Sequence, residues 1–283
     1  MPERLGNTAA PMESTPRLAS AWGPLLLWAA CIPAVALAAG AFAGLPIAAW
    51  ALLATIIPIF GAVCAGTFLQ ASGIFGRPVL SASTVRAEVA LTFDDGPDPA
   101  STPALLALLD ARGHRATFFV IGERAARFPE LVREIASRGH AIENHSWAHS
   151  YATPFATASR LLRELERASA LIASASGRRP AYFRPPVGLL SPPVARAARL
   201  AKLQLVGWTA TARDGVASTT PARAIARLRS GLHAGAILVM HDGAIGKGRI
   251  PIAAQVLPQL LSLLEARGLR SVTLAQLLAS SSD

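Results

Sequence analysis

Cysteine is almost missing from this chain. Its two cysteines, Cys31 and Cys64, both lie within one long apolar run, and the rest of the sequence has none. A disulfide framework is therefore excluded from the polar part, and the redox compartment cannot be read from it. Charge is also missing, completely, from Leu18 to Gly76, although arginines stand on both flanks (Arg4, Arg17, Arg77 and Arg86). No short repeat is apparent. Neither a glycine–aromatic nor a helix-turn-helix signature accompanies the net charge of +10, so no nucleic acid partner is expected. That charge comes from arginines dispersed over helix-like segments, among them Arg133, Arg138, Arg160, Arg163 and Arg167. They read as solvated helix faces, with anionic lipid headgroups as a second partner.

At 283 residues, 52% of them apolar, the chain has room for a membrane segment and one substantial domain. A spanning helix needs about 20 apolar residues, and the uncharged run holds enough for two. Gly44-Leu45-Pro46 offers a break between spans at 20–41 and 45–65. Trp22, Trp28 and Trp50 stand where interface anchors are expected. The reading is a tail at 1–19, a transmembrane helical hairpin at 20–66, a linker at 67–86 and a domain at 87–280. It implies a multi-pass membrane protein with a lipid bilayer as partner. The flanking arginines favour the cytoplasmic face for the domain. A cleaved signal peptide ending near Ala36-Leu37-Ala38, and a buried helix pair, are the competing readings.

Beyond residue 86, short apolar runs alternate with longer amphipathic ones. Strands are predicted at 89–93, 116–121, 141–143, 182–184, 203–208, 236–240 and 270–273. Helices are predicted at 102–111, 129–137, 157–173, 222–232 and 252–266. This alternation implies a parallel sheet covered by helices, either open or closed into a barrel. It also places five polar stretches at or just after strands, where parallel α/β folds build their sites.

Asp94-Asp95, followed by Gly96-Pro97, puts two carboxylates on a turn leaving a strand, so that one can take a metal while the other faces a water. His145 and His149 are four apart, which on a helical turn places both rings on one face. One Asp and two His make three ligands with open positions, as in catalytic rather than structural metal sites. Arg184 precedes two prolines, Asp214 precedes a glycine, and His241 ends an apolar run. Taken singly, each has an ordinary structural explanation. Their joint occurrence is what favours function.

Together, Thr92-Phe93-Asp94-Asp95-Gly96-Pro97, His145-Ser146-Trp147-Ala148-His149, Arg184-Pro185-Pro186-Val187-Gly188, Asp214 and Val239-Met240-His241 resemble, in order, the five motifs of the polysaccharide deacetylases with a NodB homology domain, carbohydrate esterase family 4. The resemblance spans about 88–278. It implies an α/β fold, a distorted (β/α) barrel with fewer than eight full units. It implies Asp95, His145 and His149 as ligands of a divalent metal, commonly Zn2+, with Co2+ or another divalent ion as alternatives. It further implies Asp94 as general base, Arg184 as its holder, and His241 as general acid oriented by Asp214. The backbone N–H of Val187 would face the acyl oxygen.

This chain departs from the family pattern in the shell that lines the substrate. Val187 stands where an aromatic residue is frequent, Thr211 where the fourth motif has its first Asp, and Gly215 where it has Trp. Val239 replaces a usual leucine. The expected activity is metal-dependent removal of an N-acyl group, acetyl foremost, from an amino sugar in a polysaccharide or lipid-linked glycan. The alternatives are a deformylase of a lipid-linked amino sugar and a catalytically silent glycan-binding membrane protein.

Overall fold

The structure is a computed structural model that describes residues 47–243 and 249–279. The chain divides into two compact units, Met1–Val63 and Cys64–Asp283. The end of the apolar run forms helix α1 (Ile47–Phe68), which contains Pro58. From Cys64 onward this helix belongs to the second unit, where the Thr67 carbonyl accepts the Leu190 N–H at 3.1 Å.

The described residues correct the membrane reading. Among the described residues no helix is long and apolar enough to cross a membrane, so the multi-pass localisation is overturned and a bilayer partner is unsupported. The predicted first span, 20–41, lies outside the described residues.

The second unit is built on parallel strands. These are β1 (Glu88–Asp94), β2 (Ala116–Val120), β3 (Ala141–Asn144), β4 (Tyr182–Phe183), β5 (Gln204–Leu205), β6 (Ala210–Thr211), β7 (Ile237–His241) and β8 (Arg270–Ser271). Their order is β5-β4-β3-β2-β1-β7-β6, with β8 on the first residues of β1. Helices follow most strands: α2 (Thr102–Ala111), α3 (Gly122–Arg127), α4 (Pro129–Ser137), α5 (Ala158–Ser176), α6 (Pro192–Leu200), α7 (Pro221–Ser230), α8 (Ala253–Ala266) and α9 (Leu274–Ala279). Several begin on hydroxyl caps with proline just inside. Ser191 accepts the Val194 N–H before Pro192, and Thr220 accepts the Arg223 N–H before Pro221.

The period of two along β1 decides what each face does. Leu91 and Phe93 point into the main core, against Leu105, Phe118 and Leu257 beneath the helices. Ala90 faces the opposite way, with Phe119, Val206 and Ile237. A strand buried on both faces is what a helix-covered parallel sheet requires. The sheet curls into a half-barrel. Across its open side, Val79 bridges to Val206 and Ser81 to Ala236, while Thr209 Oγ1 donates to the Leu80 carbonyl at 2.9 Å.

Candidate active site

The polar stretches meet at the C-terminal ends of the strands. Asp94 ends β1 and is paired in register with His241, which ends β7. The chain then turns sharply, with Asp95 in the left-handed region at φ 74°. Gly96 is required here because a β-carbon would run into the Asp242 carboxylate.

His145 and His149 do not share a helix. They lie on an irregular loop after β3, with Ser146 at φ 67° and His149 at φ 50°. The expected helical turn is thus replaced by a braced loop. The His145 N–H donates to the Val120 carbonyl, Ser146 N–H to Asn144 Oδ1, and His149 N–H to Ser146 Oγ, at 2.8–3.1 Å. The N–H groups of Gly122 and Glu123, at the start of α3, donate to the Ser146 and Trp147 carbonyls. Trp147 lies against Gly122, and the Arg167 guanidinium stacks 3.5 Å from the Trp147 ring centroid. Unusual backbone conformations persist where surrounding contacts over-determine them.

This loop brings His145 Nε2 to 3.3 Å and His149 Nε2 to 3.1 Å from Asp95 Oδ1. One ligand atom from each of the three residues lies within 4.8 Å of the others. His145 Nδ1–H donates to the Arg184 carbonyl at 2.7 Å, which directs Nε2 inward, as hydrogen-bond partners of metal-binding histidines do. Burial opposes ionisation of Asp95, yet the close imidazoles, His145 foremost and then His149, hold its carboxyl below the usual range. Burial, then His145, pushes His149 down to about 4. Burial also opposes charge on His145, but Asp94 and Asp95 raise it above its ordinary value. The pocket's carboxylates call for a positive charge.

Asp94 is held from behind. Arg184, fully buried, donates from Nη1 to Asp94 Oδ1 at 2.6 Å and to Thr92 Oγ1 at 2.8 Å, and from Nη2 to the Gly207 carbonyl at 3.0 Å. Its guanidinium lies 4.1 Å from the Phe119 ring centroid. Asp214 accepts both the His241 backbone N–H at 3.0 Å and its Nδ1–H at 2.8 Å, leaving Nε2 as the free face of the ring. Burial works against a charged His241, but Asp214 foremost, with Asp94 and Asp95, lifts it to about 9. Val187 sits in the 3₁₀ turn Pro186–Gly188 at φ 57°, with its side chain exposed.

Two supports go beyond the roles assigned from the sequence. Asp242, fully buried, accepts the Thr102 hydroxyl at 2.7 Å and lies against Gly96. Its signal was its place beside His241. The second is the Trp147–Arg167 stack, whose ring lies inside the second motif but whose guanidinium comes from α5, twenty residues on.

The donor set of one carboxylate and two imidazoles suits a divalent transition metal. Asp95 Oδ1 is buried without a hydrogen-bond partner among the described residues, which fits an oxygen reserved for a cation. Residues 81–206 match the family model described as polysaccharide deacetylase. A peptidoglycan-N-acetylglucosamine deacetylase of Bacillus cereus is 34% identical over 197 residues, covering 67% of this chain and 87% of its own. The solved structure of a family 4 acetyl xylan esterase from Clostridium thermocellum, in complex with cobalt, matches at TM-score 0.62 and 32% identity. It covers 68% of this chain and 90% of that one. A peptidoglycan N-acetylglucosamine deacetylase in complex with an N-oxidanyl-benzamide matches at TM-score 0.64 and 28% identity, over 72% and 94%. On the fold, the motifs and these relatives, the chain belongs to the polysaccharide deacetylases of carbohydrate esterase family 4, a family of metal-dependent hydrolases.

Proposed function

We propose that this protein hydrolyses the N-acetyl group of an amino sugar in a glycan. The observation that carries this reading is the pairing of Asp94 with His241 on adjacent strands, beside the Asp95–His145–His149 cluster. Those three residues would hold the divalent cation, with zinc the expected ion. When bound, such an ion acidifies water to a pKa of about 7 and polarises an acyl oxygen.

The chain's own residues do the proton transfers. Asp94, oriented by Arg184, takes a proton from the attacking water as its oxygen adds to the amide carbon. His241, held by Asp214 with Nε2 free, gives a proton to the amide nitrogen as the C–N bond breaks. Acetate and a free amine leave. An amide nitrogen is a poor leaving group until protonated, so an acid opposite the base is essential. The Val187 N–H is the proposed donor to the developing oxyanion, a role worth roughly 3 kcal/mol where measured in other enzymes. Because the departures at Val187, Thr211 and Gly215 change the substrate-lining side chains and spare the acid–base pair, the chemistry is retained while the preferred glycan differs.

The test is release of acetate and formate from a panel of N-acetylglucosamine oligomers, peptidoglycan and lipid-linked N-acyl amino sugars. The expected result is acetate release that chelator abolishes and zinc restores. Glycan binding without release of either acid, by folded and zinc-loaded protein, contradicts it and favours a silent binding role.

A further inference from the structure

The loop that follows His149 carries groups that the acid–base and metal-binding roles do not use. Residues 150–156 contain the 3₁₀ turn Thr153–Phe155 and run over the start of α5. The loop is braced from within. Thr153 Oγ1 and N–H both donate to the Ser150 carbonyl, at 2.6 and 3.0 Å, and the Ala152 N–H donates to Ser150 Oγ at 3.1 Å. Thr153 and Pro154 are buried beneath it. From this fixed frame two aromatic side chains point outward, Tyr151 at 67% exposure and Phe155 at 89%.

A single exposed apolar residue is ordinary. Here two exposed aromatics stand four residues apart on a braced loop that begins one residue after a metal-binding histidine. The Tyr151 ring meets the His149 ring edge-on, with centroids 5.8 Å apart and planes at 88°, so this end of the loop adjoins the reaction site. Between the loop and α5 lies a groove of about 140 Å³ lined by Phe155, Arg160 and Glu164 among others. Arg160 Nε pairs with Glu164 Oε1 at 3.2 Å. The pair neutralises itself, so the groove offers donors and acceptors without net charge. That combination suits an uncharged polyhydroxylated ring and gives a phosphate or carboxylate no counter-charge. Apolar walls with a few placed polar groups are the usual chemistry of small-ligand sites, and an aromatic face takes the C–H face of a pyranose.

We infer that Tyr151, Phe155 and the Arg160–Glu164 pair form a subsite for a neutral sugar ring of the glycan, flanking the ring that is deacylated. This rests on the glycan-hydrolase reading above, and the experiment separates the two. The full chain, its Tyr151→Ala and its Phe155→Ala variants are assayed for acetate release on N-acetylglucosamine and its oligomers up to the pentamer. Wild type is expected to gain kcat/KM with length. Each variant is expected to lose about tenfold on the pentamer, through KM, and for Phe155→Ala kcat and monomer hydrolysis stay little changed. Unchanged monomer hydrolysis also shows that Phe155→Ala is folded. A length preference that persists in both variants overturns the subsite. In a second arm, calorimetry measures pentamer binding to Asp94→Asn with and without Phe155→Ala. Weaker binding in the double variant upholds the subsite even where no oligomer is hydrolysed, an outcome that would instead sink the hydrolase reading. Equal binding, or none by either protein, overturns the subsite.

Discussion

The His241–Asp214 pair yields a prediction with a definite shape. Asp214 accepts both the backbone N–H and the Nδ1–H of His241, and its charge is the main reason His241 stands at about 9 despite burial. Asp214→Asn keeps an acceptor for one of those bonds and removes the charge. What remains to favour the imidazolium is the pull of Asp94 and Asp95, which a bound divalent cation offsets. The His241 pKa should then fall toward the ordinary 6.5. At pH 8, a group of pKa 9 is roughly 90% protonated and one of pKa 6.5 roughly 3%. A reaction that needs a proton on His241 therefore slows by up to about thirtyfold at pH 8, beyond any loss common to all pH values. At pH 6 the two proteins differ little in protonation. The assay is kcat/KM for acetate release across neutral and alkaline pH. The alkaline limb is expected to move down by up to about two and a half pH units. An alkaline limb that stays in place in Asp214→Asn refutes the assignment of His241 as the acid.

Other perturbations separate fold from chemistry. Arg184→Met leaves the Asp94 carboxylate buried without its partner, so urea unfolding should show a loss of about 3–5 kcal/mol; adding Asp94→Asn should recover part of it, and strict additivity of the two changes contradicts the coupling. His140 accepts the Ala116 N–H through Nδ1 at 3.1 Å, and burial pushes its pKa down to about 4 from 6.5. As pH falls from 6.5 toward 4 the unfolded chain binds this proton and the folded one does not, so stability drops over that window by up to about 3 kcal/mol. His140→Asn, which keeps an acceptor, should flatten the part of the urea midpoint's acid dependence that is due to His140, and an unchanged dependence contradicts it. Gly122→Ala drives a methyl into the Trp147 ring and should shift the His145–His149 loop. Zinc affinity is expected to weaken about tenfold or more with the far-UV spectrum retained, as when outer-shell partners are lost; unaltered affinity would show that the ring does not position the loop.

Where the sequence carried its own punctuation, the elements could be read closely. Pro129 just inside α4 and the β-branched and aromatic run of β2 place those elements to within a residue. Helix α6 was missed although Ser191-Pro192 signals a start, because its buried face is made of small residues, Val194, Ala197 and Ala198, rather than large apolar ones. The two-residue β6 is too short for any periodicity. The spacing of His145 and His149 suggested convergence through a helical turn; the observed convergence depends on left-handed backbone at Ser146 and His149, which spacing does not encode. Arg167, which stacks on Trp147, is invisible to motif reading because the contact is tertiary. The apolar run was over-read for a physical reason. Hydropathy alone does not reveal that the end of α1 is taken up by the domain through Thr67 and Leu190.

The central claim is that Asp94 moves the proton while Asp95, His145 and His149 hold the metal. It is tested most directly by measuring bound zinc and acetate turnover together in wild type and in Asp94→Asn. The account predicts equal zinc content in the two proteins and a fall in kcat of about a hundredfold or more. Turnover near the wild-type rate by zinc-loaded Asp94→Asn would contradict it.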